Sequence, residues 1–308
     1  MPFLTIFSAP KPFTDPHIAT IQRNAIHSWT KLGADVQIVL VGNETGVGEA
    51  AADAGIGYEP GVELNAEGTP LISSIFAIGR NVNDSPYLAF INADIIVFPE
   101  FLSALRSVAA QKESFLLVGQ RWDLDVQEGL DFSTGWEEKL HQRLSSQGRL
   151  HPPAGSDYFI FPRACFTDVP RFAVGRAGWD NWMIFKARWE HWPVIDATHD
   201  IQIIHQDHDY SHLPGGQPHY RLPETFENIR LAGGKRAIFH LEDCDWLLVD
   251  GKLSRPPFGW ARLRRNLEVF PLVGLHSFAL AQCSYALFLP QKAYVELRRW
   301  LKTLGNKR

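Results

Sequence analysis

YLAFINADIIVFPE, the stretch from Tyr87 to Glu100, consists of two short apolar runs separated by Asn92-Ala93-Asp94. The first run, YLAFI, has the composition of a strand that is buried on both faces of a sheet. A carboxylate between two apolar runs is costly to bury unless a positive charge neutralises it. At the carboxyl end of a central strand in an open α/β sheet, that charge commonly comes with a bound ligand or a metal ion. The stretch therefore predicts a central strand ending in a binding site around Asp94, with a simple strand-end cap as the alternative.

Strands and helices alternate in the sequence before this stretch. Apolar runs and helical spacing predict, in order, a strand over 3–7, a helix over 16–32, a strand over 36–41, and helices over 48–54 and 71–81. Thr69-Pro70 has the composition of the last helix's start, with the hydroxyl as N-cap. This order is typical of a parallel sheet covered by helices, which binds nucleotides beyond the carboxyl ends of its strands. We therefore expect binding residues in the loops at 8–13, 43–46 and 92–94.

Composition and missing motifs exclude several classes of protein. The formal net charge of −4 argues against generic nucleic-acid binding. No G-x-G-x-x-G follows the first strand and no G-x-x-x-x-G-K-[ST] occurs, which argues against dinucleotide oxidoreductases and P-loop nucleotide hydrolases. The three cysteines are far apart, as suits a reducing compartment. The sequence begins without a basic leader, and Pro, Gly and polar residues interrupt its longest uncharged stretch, so we expect a cytoplasmic protein without a membrane span.

The second half places more polar residues beside apolar runs. DYFIFPR (157–163) predicts a strand, and GRAGWDNW (175–182) predicts a turn into a helix over 182–189. A helix dipole keeps a nearby carboxylate ionised, so Asp180 is suited either to accept a proton or to cap the helix. After a strand over 201–204, HQDHDYSH (205–212) contains three His and two Asp. Such a set suits Mn²⁺ or another borderline divalent ion, with exposed polar histidines as the alternative. Residues 121–155 are charged and predict an acceptor-side flap.

Together these motifs resemble the nucleotide-sugar glycosyltransferases of the GT-A fold, in a family 2-like form. Asn92-Ala93-Asp94 is similar to their Asp-x-Asp motif, with Asn in the first position. The resemblance implies an α/β fold with a mostly parallel central sheet flanked by helices. It assigns residues 1–255 to the transferase domain, with 1–120 as the nucleotide-sugar half and 121–255 as the acceptor and metal half. Residues 256–308 are predicted to form a helical C-terminal extension.

The resemblance also implies roles for individual residues. A divalent metal, Mn²⁺ or Mg²⁺, would be held by Asp94 and by His205, with His208 as the second choice for the histidine. Asp180 would be the catalytic base of an inverting transfer. Lys11 would lie near the diphosphate and Glu44 near the base of a nucleoside diphosphate sugar, with a UDP-sugar favoured. The implied donor-binding residues are Ser8, Ala9, Pro10, Lys11, Glu44, Asn92 and Asp94. The implied acceptor-binding residues are Tyr158, Trp179, Asn181 and Trp182.

The implied reaction transfers a sugar to a hydroxyl acceptor such as a glycan, a glycolipid or a polysaccharide precursor. A retaining transfer on the same fold stays open. A sugar-phosphate nucleotidyltransferase also stays open, although SAPKPF (8–13) is not the Gly-rich basic loop that those enzymes carry after the first strand. The third alternative is a carbohydrate-binding or scaffold protein with a degenerate site, which the Asn at position 92 favours.

The composition changes after Arg255. In the last predicted helix Tyr294, Leu297, Leu301 and Leu304 share one face, and basic residues occupy the others. This basic amphipathic end fits a helical cap on the domain, a homodimer contact, or a peripheral contact with the anionic inner face of a membrane.

Overall fold

The structure, a computed structural model, describes residues 1–208 and 222–305. The strands are β1 (Leu4–Ser8), β2 (Val36–Val41), β3 (Gly57–Glu59), β4 (Tyr87–Ile91), β5 (Ile95–Val97), β6 (Leu116–Val118), β7 (Trp122–Leu124), β8 (Arg149–Leu150), β9 (Tyr158–Pro162), β10 (Val194–Asp196), β11 (Ile203–Gln206), β12 (Trp246–Val249) and β13 (Lys252–Ser254). The helices are α1 (Pro16–Thr30), α2 (Val47–Ala54), α3 (Ile72–Asn81), α4 (Glu100–Ala109), α5 (Trp136–Gln147), α6 (Trp179–Trp189), α7 (Pro223–Leu231), α8 (Trp260–Val273), α9 (Phe278–Phe288) and α10 (Pro290–Gly305).

The main sheet has nine strands in the order β13-β12-β10-β6-β9-β4-β1-β2-β3. Neighbouring strands are parallel except at β9, which runs against β4 and β6, and at the edge strand β13. A large, mostly parallel sheet flanked by helices confirms the predicted fold class.

The sheet brings polar loops from distant parts of the chain to one edge. Strands β1, β2, β4, β6 and β10 all run in the same direction, so their carboxyl ends lie together. The antiparallel strand β9 begins at this edge, with Tyr158 opposite Ile91. Asp157 therefore lies beside Asn92, whose backbone N–H donates to the Asp157 carbonyl over 2.9 Å. We call this the carboxyl edge of the sheet.

A second sheet of four strands, ordered β5-β11-β7-β8, stands at the carboxyl edge. Strand β5 begins directly after Asp94, and β7 begins directly after Arg121. Strand β11 lies between them and places His205 opposite both Ile95 and Asp123. The junction of the two sheets thus gathers carboxylates and histidines.

Both faces of the main sheet are buried. Along β4, Leu88 and Phe90 belong to the apolar cluster on one face, while Ala89 and Ile91 belong to the cluster on the other. This alternation confirms the strand that YLAFI predicts. Each fully buried large apolar side chain stabilises the fold by about 1.5–3 kcal/mol, so β4 is the centre of the core as well as the support of the site.

Two predicted helix starts were wrong. Helix α3 begins at Ile72 rather than at Thr69-Pro70, because the Ile72 N–H donates to the Phe172 carbonyl and Pro70 forms an isolated β-bridge with Leu64. Helix α6 begins at Trp179 after Gly178, so Asp180 lies in its first turn and is not the N-cap.

The stretch 121–155 is more regular than the predicted flap. It contains β7, α5 and β8. Helix α5 buries Trp136, Leu140 and Leu144, which pack with Phe98 in a third apolar cluster. The i, i+4 spacing of these residues was the available signal, and the charged residues between them obscured it.

Helices α8, α9 and α10 follow the main sheet in the chain. Within residues 1–208 and 222–305, no helix combines the length and the apolar composition that crossing a membrane requires.

Candidate active site

Asp94, His205 and His208 converge at the junction of the two sheets. Asp94 Oδ2 lies 3.0 Å from His208 Nε2 and 4.0 Å from His205 Nε2. The three side chains are only 9–13% exposed. The structure thus brings together the three residues predicted to hold a metal.

Lys11 reaches the same cluster from the loop after β1. Its Nζ lies 3.2 Å from His208 Nε2 and 3.9 Å from Asp94 Oδ2. Burial lowers the pKa of the Lys11 ammonium, and the negative charge of Asp94 opposes that effect. A cationic donor therefore stands at the mouth of the cluster, within reach of an anionic ligand.

The electrostatics of the cluster keep Asp94 ionised. Burial alone raises the pKa of this carboxyl, but the hydrogen bond from His208 and the charges of His205 and Lys11 outweigh burial and hold its pKa well below the usual range. The backbone of Asp94 is also fixed, because the buried Gln206 amide donates to its carbonyl over 3.1 Å. The carboxylate is thus both charged and held in place.

Two observations show that these residues fit a divalent cation. Among the described residues, the buried Asp94 Oδ1 has no hydrogen-bond partner. His208 Nε2 lies within hydrogen-bond distance of both the Asp94 carboxylate and the Lys11 ammonium, although one nitrogen cannot donate to the first and accept from the second. Two ligand atoms about 2.1 Å from an octahedral ion are about 3 Å apart when adjacent and about 4 Å apart when opposite. The distances from Asp94 Oδ2 to His208 Nε2 and His205 Nε2 match these two values. A carboxylate with two imidazoles suits Mn²⁺ among such ions.

A second group, Asp123, His205 and Asp207, also has its ligand atoms close together. Its carboxylates are already engaged, because Asp123 pairs with Arg121 and His151, and Asp207 pairs with Arg149. His205 Nδ1 lies 3.1 Å from Asp123 Oδ1. Asp123 therefore orients the histidine, which leaves Nε2 directed toward Asp94.

Sequence reasoning missed a buried ion pair beside the metal cluster. Arg121 Nη1 donates to both carboxylate oxygens of Asp157, at 3.1 and 3.0 Å. Asn92 Nδ2 donates to Asp157 Oδ1 over 2.8 Å, so the amide is turned toward this pair. The signal was available, since Arg121 follows the β6 run and Asp157 precedes the β9 run. Recognising it required knowing that β9 is antiparallel.

Asp180 lies in a small concavity near Asp157 and is partly exposed. Its walls include Ala154, Ser156 and His240, and its carboxylate accepts a hydrogen bond from the Gly178 N–H over 3.1 Å. Burial raises the pKa of Asp180 to about 6; the N–H groups of Asn181 and Gly178 oppose this, and the charge of Asp157 adds to it. The helix N-terminus thus does not keep this carboxyl at the low pKa that sequence reasoning expected.

The other donor-binding candidates lie at the carboxyl edge, as their loops predicted. Ser8 is fully buried and its hydroxyl donates to the Ile91 carbonyl over 2.5 Å. Ala9 is half-buried and Pro10 is buried. Glu44 is half-buried in the loop after β2.

Three acceptor-binding candidates face the core instead of a cleft, which corrects the expectation that they wall a sugar. Tyr158 is fully buried, and Trp179 and Trp182 are each 5% exposed. Trp179 packs against Phe90, with ring centroids 5.1 Å apart. Burying large aromatic rings in the core stabilises the fold more than exposing them to solvent does. Asn181 is also buried and donates to the Phe239 carbonyl over 2.7 Å.

Asp209 and His212, the rest of the His/Asp cluster, lie outside the described residues.

The chain was compared with known proteins. No family model matches the sequence, and no curated protein matches it. The structure is similar to glucosyl-3-phosphoglycerate synthase from Mycobacterium tuberculosis, with 14% identity and a TM-score of 0.48 over 76% of this chain and 81% of that chain. The complex of that enzyme with Mg²⁺ and uridine diphosphate gives 15% identity and 0.47 over 76% and 80%. A mannosyltransferase from Pyrobaculum calidifontis, in complex with GDP-Man and Mn²⁺, gives 12% and 0.40 over 66% and 56%. At these TM-scores the function has to be inferred from the site itself.

Proposed function

We propose that this protein is a metal-dependent glycosyltransferase that moves a sugar from a nucleoside diphosphate sugar to a hydroxyl acceptor. The observation that carries the proposal is the convergence of Asp94, His205, His208 and Lys11 at the carboxyl edge. Nucleotides bind α/β sheets at this edge, and the loops after β1 and β2 open onto it. The resemblance of the Asn92-Ala93-Asp94 triplet to the GT-A motif points to the same chemistry.

Each group in the cluster has a task in this proposal. Asp94, His205 and His208 would hold Mn²⁺ or Mg²⁺, and the bound ion would supply positive charge where the leaving diphosphate becomes more negative. Lys11 would pair with a phosphate oxygen, since its ammonium already stands beside the cluster. The loop at 8–11 and Glu44 would contact the nucleotide, with a UDP-sugar as the favoured donor.

Asp180 is the proposed base of an inverting transfer. A pKa of about 6 leaves the carboxylate ionised at neutral pH yet basic enough to accept a proton from an acceptor hydroxyl. The segment around Gly155 lies beside this carboxylate, and an added Cβ at Gly155 would lie 3.7 Å from Asp180 Oδ2. An acceptor such as a glycan or glycolipid hydroxyl would approach the base past this segment.

Asn92, in place of the first Asp of the motif, favours a second candidate function. In that case the protein would be a carbohydrate-binding or scaffold protein with a degenerate site. A retaining transferase on the same fold is a further alternative, because it needs no base at Asp180.

Calorimetric titration with UDP, with and without MnCl₂, tests the proposal. We expect UDP to bind only with Mn²⁺, and we expect Asp94→Ala to abolish this dependence. The matched control is Asp35→Ala, which removes a carboxylate that is 61% exposed and paired with Arg106 on the surface. His205→Ala and His208→Ala should each weaken Mn²⁺ binding. Equal UDP affinity with and without Mn²⁺ would contradict the metal site, whereas sugar binding without nucleotide would support the binding protein.

A screen of nucleotide sugars would then identify the donor. The true donor should raise the unfolding temperature more than UDP does in the presence of Mn²⁺, because a ligand of the folded state stabilises it in proportion to its affinity. Slow Mn²⁺-dependent hydrolysis of the same compound would separate an active transferase from a binding protein.

A further inference from the structure

Helices α8 and α10 carry the same surface pattern. Each has an aromatic residue, a leucine three positions after it, two arginines directly after that leucine, and a second leucine seven positions after the aromatic residue. The residues are Trp260, Leu263, Arg264, Arg265 and Leu267 in α8, and Tyr294, Leu297, Arg298, Arg299 and Leu301 in α10. This spacing places the aromatic ring, both leucines and the first arginine on one face of each helix.

The shared face points to solvent in both helices. In α8, Trp260 is 78% exposed and Leu267 is 52% exposed. In α10, Tyr294 is 60% exposed and Leu297 is 51% exposed. A surface helix normally turns its apolar stripe toward the core. Here α8 does bury a separate face through Val269, Leu272 and Val273, so the exposed stripe is a second apolar face.

Exposed apolar residues concentrate in this part of the molecule. Of the seventeen large hydrophobic residues exposed within the described residues, thirteen lie between Phe258 and Leu301. Phe258 is 74% exposed and packs edge-on against Trp260, with ring centroids 5.5 Å apart. Concentrations of this size on a protein surface mark an interaction site.

The charge of this region identifies its partner. Residues 255–308 contain ten basic and two acidic residues, whereas residues 1–254 contain twenty basic and thirty-two acidic residues. Both acidic residues are already paired, Glu268 with Arg265 and Glu296 with Arg236. The net charge of +8 on the extension therefore opposes −12 on the rest of the chain. A second copy of such a basic face would be repelled, whereas an anionic surface would be attracted.

We infer that the outward faces of α8 and α10 lie in the interface of an anionic phospholipid bilayer. The leucines would enter the boundary between headgroups and acyl chains, and the arginines would pair with lipid phosphates. Trp260 and Tyr294 suit the headgroup level, where amphipathic aromatic rings are enriched. The inference stands on the helices alone and does not depend on the proposed transfer reaction.

Co-sedimentation of the full chain with lipid vesicles tests the inference. We expect binding to mixed phosphatidylcholine–phosphatidylglycerol vesicles, weakened by added salt, and much weaker binding to phosphatidylcholine alone. Arg264→Glu and Arg298→Glu should each weaken binding at least about fivefold, as expected for the loss of one basic residue at an anionic surface. Leu297→Glu should weaken it further.

The matched control is Leu64→Glu, which changes a leucine of similar exposure, 50%, far along the chain. Circular dichroism would confirm that each variant folds. Equal binding to neutral and anionic vesicles, or equal effects of Leu64→Glu and Leu297→Glu, would overturn the inference. A dimer that Leu297→Glu dissociates, without vesicle binding by the wild-type chain, would overturn it in favour of a second copy.

Discussion

At the scale of the residue, the site is governed by one carboxylate that has Lys11 and two histidines as neighbours. Burying Asp94 costs free energy, and His205, His208 and Lys11 offset that cost. The same arrangement that keeps the carboxylate charged also leaves its second oxygen without a partner among the described residues. If Asp94 holds a metal, as proposed, stability and ligand binding are coupled through this side chain.

Asp94→Asn is expected to destabilise the protein by about 3 kcal/mol, because it leaves the partly buried Lys11 ammonium without its counter-charge. Urea unfolding at pH 7 measures this change. In the same experiment MnCl₂ should stabilise the wild-type chain and have no effect on the variant. Asp35→Asn, which removes an exposed charge, should cost less than about 1 kcal/mol. A cost for Asp94→Asn as small as this would contradict the electrostatic coupling.

Neutralising Asp180 is expected to stabilise the protein, in contrast to neutralising Asp94. Folding raises its pKa from 3.8 to about 6, so its contribution is complete below pH 4 and is lost as the pH rises through 6. The loss amounts to about 3 kcal/mol at neutral pH. Asp180→Asn mimics the neutral form, so it should match the wild type at pH 4 and be more stable by up to about 3 kcal/mol at pH 7.

Urea unfolding of both chains across pH 4–8 checks this expectation. A stability difference that does not change with pH would mean that the carboxyl is not desolvated. If Asp180 is the base, the stabilised variant should also bind UDP normally and fail to transfer sugar, a combination expected where a site is tuned for function at the expense of stability.

The sequence was sufficient to place Asp94, His205 and His208 near strand ends, because each follows an apolar run that predicts a strand. It did not reveal the Arg121–Asp157 pair, since an ion pair requires two distant segments to be placed side by side. Nor did it reveal the burial of Trp179 and Trp182. An aromatic residue beside glycines is equally compatible with a cleft and with a core, and only packing decides between them.

At the scale of the element, the close approach of α3 to β1 limits what the core can accept. Gly79 lies in α3, and a Cβ at this position would be 2.4 Å from Cγ of the fully buried Phe7. Ala is favoured over Gly in helices by about 1 kcal/mol, but overpacking a core costs about 1–3 kcal/mol. The steric term therefore decides the outcome.

Gly79→Ala is expected to lower the free energy of unfolding by about 1 kcal/mol, despite its better helix propensity. Combining it with Phe7→Leu should make Gly79→Ala less harmful than it is in the wild-type background, because the leucine leaves room for the methyl group. Gly129→Ala is a suitable control, since nothing lies within 4 Å of a Cβ there. Stabilisation by Gly79→Ala alone would show that Phe7 shifts without cost.

Elements in the first hundred residues could be predicted well because their signals are local and agree with one another. Strands β2 and β4 are where the apolar runs place them, and Gly55 ends α2 as a left-handed C-cap. Helix α5 was missed because its three buried residues are spread among charged ones. The start of α3 differs from the prediction because Ile72 hydrogen-bonds to Phe172 and Pro70 pairs with Leu64. Where tertiary hydrogen bonds compete with a capping signal, the local signal gives way.

At the scale of the whole molecule, charge is divided between two regions. The sheet with its candidate site carries the acidic excess, and the C-terminal helices carry the basic excess. An anionic surface would attract the helices and repel the rest of the chain. The same attraction would hold the protein at an anionic membrane surface.

Truncation tests whether the extension from residue 256 onward is a separable unit, as the sequence predicts. Helix α8 packs Val269, Leu272 and Val273 into the main core, and removing them would expose the apolar residues they cover at a cost of about 5–8 kcal/mol, which is comparable with the stability of a whole domain. A chain ending at Gly259 should therefore fail to fold cooperatively. A chain ending at Leu289 keeps α8 and α9 and loses only α10, so it should fold and retain Mn²⁺-dependent UDP binding while binding anionic vesicles weakly. Thermal unfolding and vesicle sedimentation of both chains decide the matter, and cooperative folding of the shorter chain would show that the boundary at 255 is a true domain boundary.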